Sequence, residues 1–256
     1  MEWSGRGVLV TGASRGLGEQ LARWFAKRGA RVGLVARGRE ELERVKDSIA
    51  AEGGTAVAIV ADVGDKEATY AIAGSAAELI GPVDVLVHCA SALGPLPMPL
   101  LLDTACEDLA SVLETNLIGP FRLTKALVGP MVLRGLGGAP PAASDAQRSV
   151  VVFISSDAAV NGYPAWGAYG VSKAAQDHLA RVWAAELAEA GVQFLSIDPG
   201  DMNTKMHADA IPDADPSTLL DPAVVAARIG AILEHRAGIP SGTRLEASSA
   251  AKAVSA

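Results

Sequence analysis

Cysteine is nearly absent: Cys89 and Cys106 are the only two in 256 residues. That is too few for a disulfide framework, so they read as thiols of a reducing compartment. Aromatic residues make up only 4% of the chain against 50% hydrophobic overall, so a core must come mainly from Ala, Val, Leu and Ile. Such residues suit parallel strands buried on both faces. Positive charge is also in deficit. A net charge of −7 argues against nucleic acid or an anionic membrane as the main partner. No uninterrupted apolar run reaches the roughly 18 residues of a membrane span. The most apolar stretch is broken by Asp84 and several prolines, and Met1-Glu2-Trp3 lacks the basic start of a signal peptide. A cytoplasmic protein is expected, and no metal site, since adjacent His88 and Cys89 lack further ligand spacing and read as core residues.

What is present is alternation. Strand-like runs fall at Gly7–Val10, Arg31–Ala36, Ala56–Ala61, Val83–Cys89, Val150–Ser155 and Gln193–Ile197, with a weaker one at Thr243–Ala247. Helical periodicity lies between them. Leu17, Leu21 and Phe25 precede the stop at Gly29, and Leu42, Val45 and Ile49 precede Gly53-Gly54. Strand–helix alternation predicts right-handed crossovers and an α/β doubly wound parallel sheet of about seven strands, with helices on both faces. One domain spanning residues 1–256 is expected. Within it, Arg134–Arg148 reads as a loop insertion, Asp201–Asp221 as a long loop over a site, and Ser248–Ala256 as a frayed tail.

Residues 11–18 read Thr-Gly-Ala-Ser-Arg-Gly-Leu-Gly, after the first strand and opening the first helix. A pyrophosphate needs close access to a helix amino terminus, where free N–H groups and the helix dipole favour an anion. Side chains at Gly12, Gly16 and Gly18 would obstruct that approach. The second strand ends at Arg37 with no acid at its tip, and a ribose 2′-phosphate calls for Arg where a 2′-hydroxyl calls for an acid. Farther on, Tyr169 and Lys173 stand four apart, so on a helix they share one face. A phenol of pKa about 10 is a poor proton donor near neutrality unless a cation stabilises its anion. Lys173 is placed to supply one.

TGASRGLG, with its Gly-x3-Gly-x-Gly spacing, resembles the cofactor turn of the short-chain dehydrogenase/reductase family. Ser156, 13 residues before Tyr169, completes a likeness to the family's Ser–Tyr–Lys triad, and Asn116 resembles its fourth member. The resemblance covers roughly residues 5–205. It implies that Ser156 bonds the substrate oxygen and that Tyr169 transfers the proton. Lys173 then lowers the Tyr169 pKa and holds the nicotinamide ribose, while Asn116 holds a relay water. Ser155 is the alternative to Ser156. It also implies cofactor contacts at Gly12, Ser14, Arg15, Gly16, Leu17 and Gly18, at Arg37, Asp62, Val63 and Ala90, and at Tyr169 and Lys173. Pro199, Gly200, Met202 and Thr204 complete the set. Arg15 resembles the second basic position of NADP-preferring members, so NADP(H) is the expected cofactor. The expected reaction moves a hydride between NADP(H) and a carbonyl or alcohol, with a largely apolar ketone or aldehyde as substrate.

Two other readings share features of the chain. A sugar-nucleotide epimerase-like protein has Tyr-x-x-x-Lys but favours a different glycine spacing and a larger carboxy-terminal domain. A silent NADP(H)-binding sensor would not need all four of Asn116, Ser156, Tyr169 and Lys173. The chain also departs from the family. His88-Cys89-Ala90-Ser91 stands where many members have Asn-Asn-Ala-Gly, and Gly242–Ala247 replaces the usual Val-Asp-Gly-Gly ending. Apolar positions on the helices around Cys106–Leu133 and Trp166–Ala190 exceed what one sheet face covers, so a homodimer or homotetramer is expected.

Overall fold

A computed structural model of the chain describes residues 3–137 and 148–248. Seven strands form one parallel sheet in the order β3-β2-β1-β4-β5-β6-β7. They are β1 (Gly7–Thr11), β2 (Arg31–Ala36), β3 (Thr55–Val60), β4 (Val83–His88), β5 (Ser149–Ile154), β6 (Val192–Asp198) and β7 (Arg244–Glu246). Each lies within two residues of its expected place. The central strands β1, β5 and β6 are buried at every position, which is why their sequences run apolar without alternation.

Helices cover both faces. Helices α1 (Gly16–Ala26), α2 (Arg39–Ala51) and α8 (Pro222–Glu234) border one core, built around Val8, Val10, Leu34 and Ile197. Helices α3 (Ala68–Ile80), α5 (Gly119–Gly137) and α6 (Gly167–Glu186) border the other, around Leu9, Leu86, Val151 and Phe194. The spacing that marked α1 is borne out, because Leu21 and Phe25 are fully buried and Leu17 nearly so. Asp221 caps α8, its carboxylate accepting the Ala223 amide at 2.7 Å. Among the described residues no helix is long and apolar enough to cross a membrane.

Three expectations need correction or completion. The helix expected around Cys106–Leu133 is interrupted: α4 (Cys106–Leu113) passes into a π-helical segment, Glu114–Ile118, before α5 begins. The loop insertion begins later than Arg134, since α5 continues to Gly137 through Pro130; its remainder, 138–147, lies outside the described residues, as does the tail beyond Ser248. The long loop carries a short helix, α7 (Lys205–Ala210), and a 3₁₀ turn at Pro216–Thr218. Its base is pinched by a bridge between Met202 and Leu220, where the Asn203 amide donates to the Leu220 carbonyl at 2.9 Å.

Candidate active site

A cleft of about 590 Å³ runs along the carboxyl ends of the strands, the usual place for a ligand in an open α/β sheet. Its walls bring together Gly12, Ser14, Arg15, Gly16, Leu17, Gly18, Arg37, Asp62, Val63, Ala90, Tyr169, Lys173, Pro199, Met202 and Thr204. Gly200, Asn116 and Ser156 are not on that wall but adjoin it through their neighbours.

At one end lies the glycine turn. Gly12 takes a left-handed φ of +68°, and a Cβ there would stand 2.7 Å from the Ala90 nitrogen. A Cβ on Gly18 would stand 2.3 Å from the Gly12 carbonyl oxygen. The turn therefore depends on missing side chains, and the bare backbone at the start of α1 forms a cradle suited to an anion. Thr11, which sequence reasoning passed over, braces it: its hydroxyl accepts the Cys89 and Ala90 amides, both at 3.1 Å. Thr204 faces the same turn, with its methyl 3.5 Å from where a Gly16 Cβ would be, and caps α7 by accepting the His207 amide.

Arg15 and Arg37 are both exposed on the rim. Arg37 Nη1 lies 3.7 Å from Asp62 Oδ2, with the arginine side chain 76% exposed. An open pair like this is weak and yields readily to a stronger anion.

At the other end stand the proton-transfer candidates. Tyr169 and Lys173 lie on the inner face of α6 and are buried. Burial pushes the Tyr169 phenol up to about 12, opposed by its hydrogen bond to Ser156 and reinforced by Asp198, Asp157 and Cys89. Burial pulls the Lys173 ammonium down to about 8. Lys173 faces both the strand end and the Tyr169 ring. Its Nζ donates to the Ile154 carbonyl at 2.7 Å and sits 5.6 Å from the centre of the Tyr169 ring.

The two serines have different partners, and Ser155 is the one on the cleft wall. Ser155 Oγ donates to Asp177 Oδ2 at 2.7 Å and is buried, whereas Ser156 Oγ neighbours Tyr169. Ser156 is extended at the end of β5 and caps a 3₁₀ turn, accepting the Ala158 amide at 3.2 Å. Its hydroxyl also donates to Asp157 Oδ1 at 3.0 Å, and Tyr163 donates to Asp157 Oδ2 at 2.8 Å.

Asn116 is fully buried in the π-helical segment. Its side chain exchanges two bonds with the Ala92 backbone, at 2.7 and 2.8 Å, and donates to Ser172 Oγ at 2.9 Å. Its carbonyl accepts Gln176 Nε2 at 2.8 Å, and the Gln176 oxygen lies 3.4 Å from Lys173 Nζ. Gln176 thus links the Asn116 carbonyl to Lys173. Gln176 carried no signal in the sequence beyond lying three residues after Lys173.

His88 is buried, with Nε2 2.8 Å from Thr124 Oγ1 and its ring stacked on Phe153. Burial first, then the nearby Lys173 charge, holds its pKa down to about 3. Cys89 reaches the cleft, and burial raises its thiol to about 11. His207 pairs loosely with Asp201 at 3.6 Å.

The profile of the family described as short chain dehydrogenase matches residues 6–215. A short chain dehydrogenase of Pseudocercospora fijiensis is 34% identical over 85% of this chain and 67% of its own length. Among solved structures, one from Shigella flexneri complexed with NADP superposes with a TM-score of 0.84, at 27% identity over 96% of this chain and 98% of that one. A Brucella melitensis 3-ketoacyl-(acyl-carrier-protein) reductase complexed with NADH also gives 0.84, at 27% identity over 95% and 97%. The chain belongs to the short chain dehydrogenase family, and it is an oxidoreductase of that family with a nicotinamide dinucleotide as cofactor.

Proposed function

We propose that the chain moves a hydride between NADP(H) and the carbonyl carbon of an uncharged ketone or aldehyde, or its alcohol. The observation that carries this reading is a cleft with Tyr169 and Lys173 in its wall, Ser156 beside Tyr169, and a side-chain-free anion cradle at its far end. The dinucleotide supplies a hydride when bound. Gly12 to Gly18 would hold its pyrophosphate, Asp62 and Val63 its adenine, and Pro199, Gly200, Met202 and Thr204 its nicotinamide. Ala90 sits between the two ends. Arg37 and Arg15 would take a 2′-phosphate by charge-assisted hydrogen bonds.

Ser156 then hydrogen-bonds the substrate oxygen and Tyr169 gives it a proton. A phenol held near 12 is fully protonated at neutral pH but a weak acid, so its donation depends on a cation that stabilises the phenolate. Lys173, its pKa lowered to about 8 by burial, is still mostly an ammonium at neutral pH and would stabilise the developing phenolate. Asn116 and Gln176 hold it from below.

Ala92, Met202 and Met206 give the cleft an apolar lining, while Asp157 sets a carboxylate one hydrogen bond from Ser156. That charge disfavours keto acids beside the reacting oxygen. Met202–Leu220 is read as a lid, since Met202 and Met206 already face the cleft. Phe121, Leu133, Val171 and Val182 remain exposed on α5 and α6, which supports a homodimer or homotetramer through these helices.

The test is NADPH oxidation against a panel of aliphatic and aromatic ketones, aldehydes and charged keto acids, with Tyr169→Phe as control. General acid catalysis contributes about 10²- to 10⁴-fold, so the variant should lose turnover on that scale with NADPH affinity little changed. Wild-type turnover in the phenylalanine variant would end the proposal.

A further inference from the structure

One guanidinium reaches three of the segments that bear the site, from a fourth. Arg244, in β7, donates through Nη2 to the Ser156 carbonyl at 2.9 Å and to Asp198 Oδ2 at 2.8 Å. Through Nε it donates to Asp177 Oδ2 at 3.1 Å. The same Asp177 oxygen receives the Ser155 hydroxyl, and the other Asp198 oxygen receives the Gly200 amide at 3.0 Å. The cluster is largely closed to solvent: the Asp177, Asp198 and Arg244 side chains are 5%, 9% and 21% exposed.

Each tie ends beside a group used in the proposed reaction. The Ser156 carbonyl belongs to the residue whose hydroxyl meets Tyr169. Asp177 lies one turn beyond Lys173 on the same face of α6. Asp198 directly precedes Pro199 and Gly200. The planar fork of Arg fixes three acceptors at set angles, which a flexible ammonium cannot do. It also contacts two buried carboxylates at once, and removing one partner of such a buried pair leaves the rest uncompensated. Arg244 falls within the carboxy-terminal segment in which this chain departs from its family's usual ending.

We propose that Arg244 is a positioning residue, whose fork sets the spacing between Ser156, the Pro199-Gly200 turn and the part of α6 that carries Lys173. Its effect on turnover rests on the hydride-transfer reading; its effect on local order does not.

The test compares wild type, Arg244→Lys, which keeps the charge without the fork, and Asp177→Asn, which keeps the shape and frees one arm. Hydrogen–deuterium exchange is read in peptides covering 155–160 and 198–203, with 7–11 and 31–36 as references. Kinetics are read with NADPH and a carbonyl that the wild type reduces. In Arg244→Lys, exchange should rise in the two site peptides and not in the references. Because small misplacements of reacting groups can cost on the order of 10²-fold, kcat should fall by about that factor while KM and NADPH affinity stay close to wild type. Asp177→Asn should show the same pattern more weakly, and it decides the matter if the lysine variant does not fold. Unchanged exchange and unchanged kcat would overturn the proposal, as would a uniform rise in exchange across the sheet, the mark of a purely structural residue. If the wild type reduces no carbonyl, the hydride-transfer reading fails, and the exchange pattern still decides whether Arg244 fixes these segments.

Discussion

At the glycine-turn end of the cleft, the fit comes from backbone and from what is left out: Gly12 to Gly18 are contiguous, and two of them would clash if given a Cβ. At the Tyr169 end it comes from side chains gathered across the chain, with Arg244 bonded to a carbonyl 88 residues away and Asn116 bonded to Ser172, 56 residues away. The first end is a steric device, tolerant of its charged rim because that rim is open to water. The second is an electrostatic device in which burial first, and neighbouring charges second, shift the groups. Changes should therefore act through shape at one end and through charge and protonation at the other.

The largest effect should come from attacking shape. Gly18→Val sets a side chain against the Gly12 carbonyl. Overpacking of this kind costs about 1–3 kcal/mol, so NADPH titrations by fluorescence should show affinity lowered by up to about 100-fold. Wild-type binding would mean that the nucleotide does not rest on this turn. On the rim, Arg37→Asp replaces a cation by a repelling charge. A charge-assisted contact contributes about 1.5–3 kcal/mol, so preference for NADPH over NADH should fall by roughly 10- to 100-fold. Equal binding of both cofactors by the wild type would sink the NADP(H) assignment.

Protonation comes next, and His88 isolates it. Its folded pKa of about 3 lies below the unfolded value of 6.5. The stability that it contributes is therefore present above pH 6.5 and is lost as pH falls from 6.5 towards 3. The unfolded state binds the extra proton throughout that window. The slope is about 1.4 kcal/mol per pH unit, or roughly 2 kcal/mol between pH 6.5 and 5. Urea unfolding across this range should show that loss in the wild type, reduced in His88→Asn; equal slopes would contradict the burial argument.

The smallest effect sharpens the contrast. Asp62→Asn removes the exposed partner of Arg37, and such pairs contribute at most about 1 kcal/mol. Thermal midpoints should barely move, and NADPH affinity should change by less than about fivefold. A larger change would show that the carboxylate charge, and not only the side-chain oxygen that the amide keeps, holds the adenine.

The sequence by itself determined the seven strands, the crossover fold and the glycine turn, because each rests on information within a few neighbouring residues. Burial on both faces makes a parallel strand read as an apolar run, and a turn without Cβ atoms reads as Gly12, Gly16 and Gly18. Tyr169 and Lys173 were legible for the same reason, since four residues along a helix make one face. Choosing Ser156 over Ser155 rested on a spacing alone; the fold adds that Ser155 bonds Asp177. Only the tertiary structure decided the rest. The π-helical break is held by bonds from Asn116 to Ala92, Ser172 and Gln176, none of them local in sequence. Arg244 meets Asp198 because strand order sets β7 beside β6, and it meets Ser156 because β5 lies on the other side of β6. A pattern along the chain records which face a residue takes. It does not record which distant charge will be waiting there, and in a buried cluster that charge determines what each group can do.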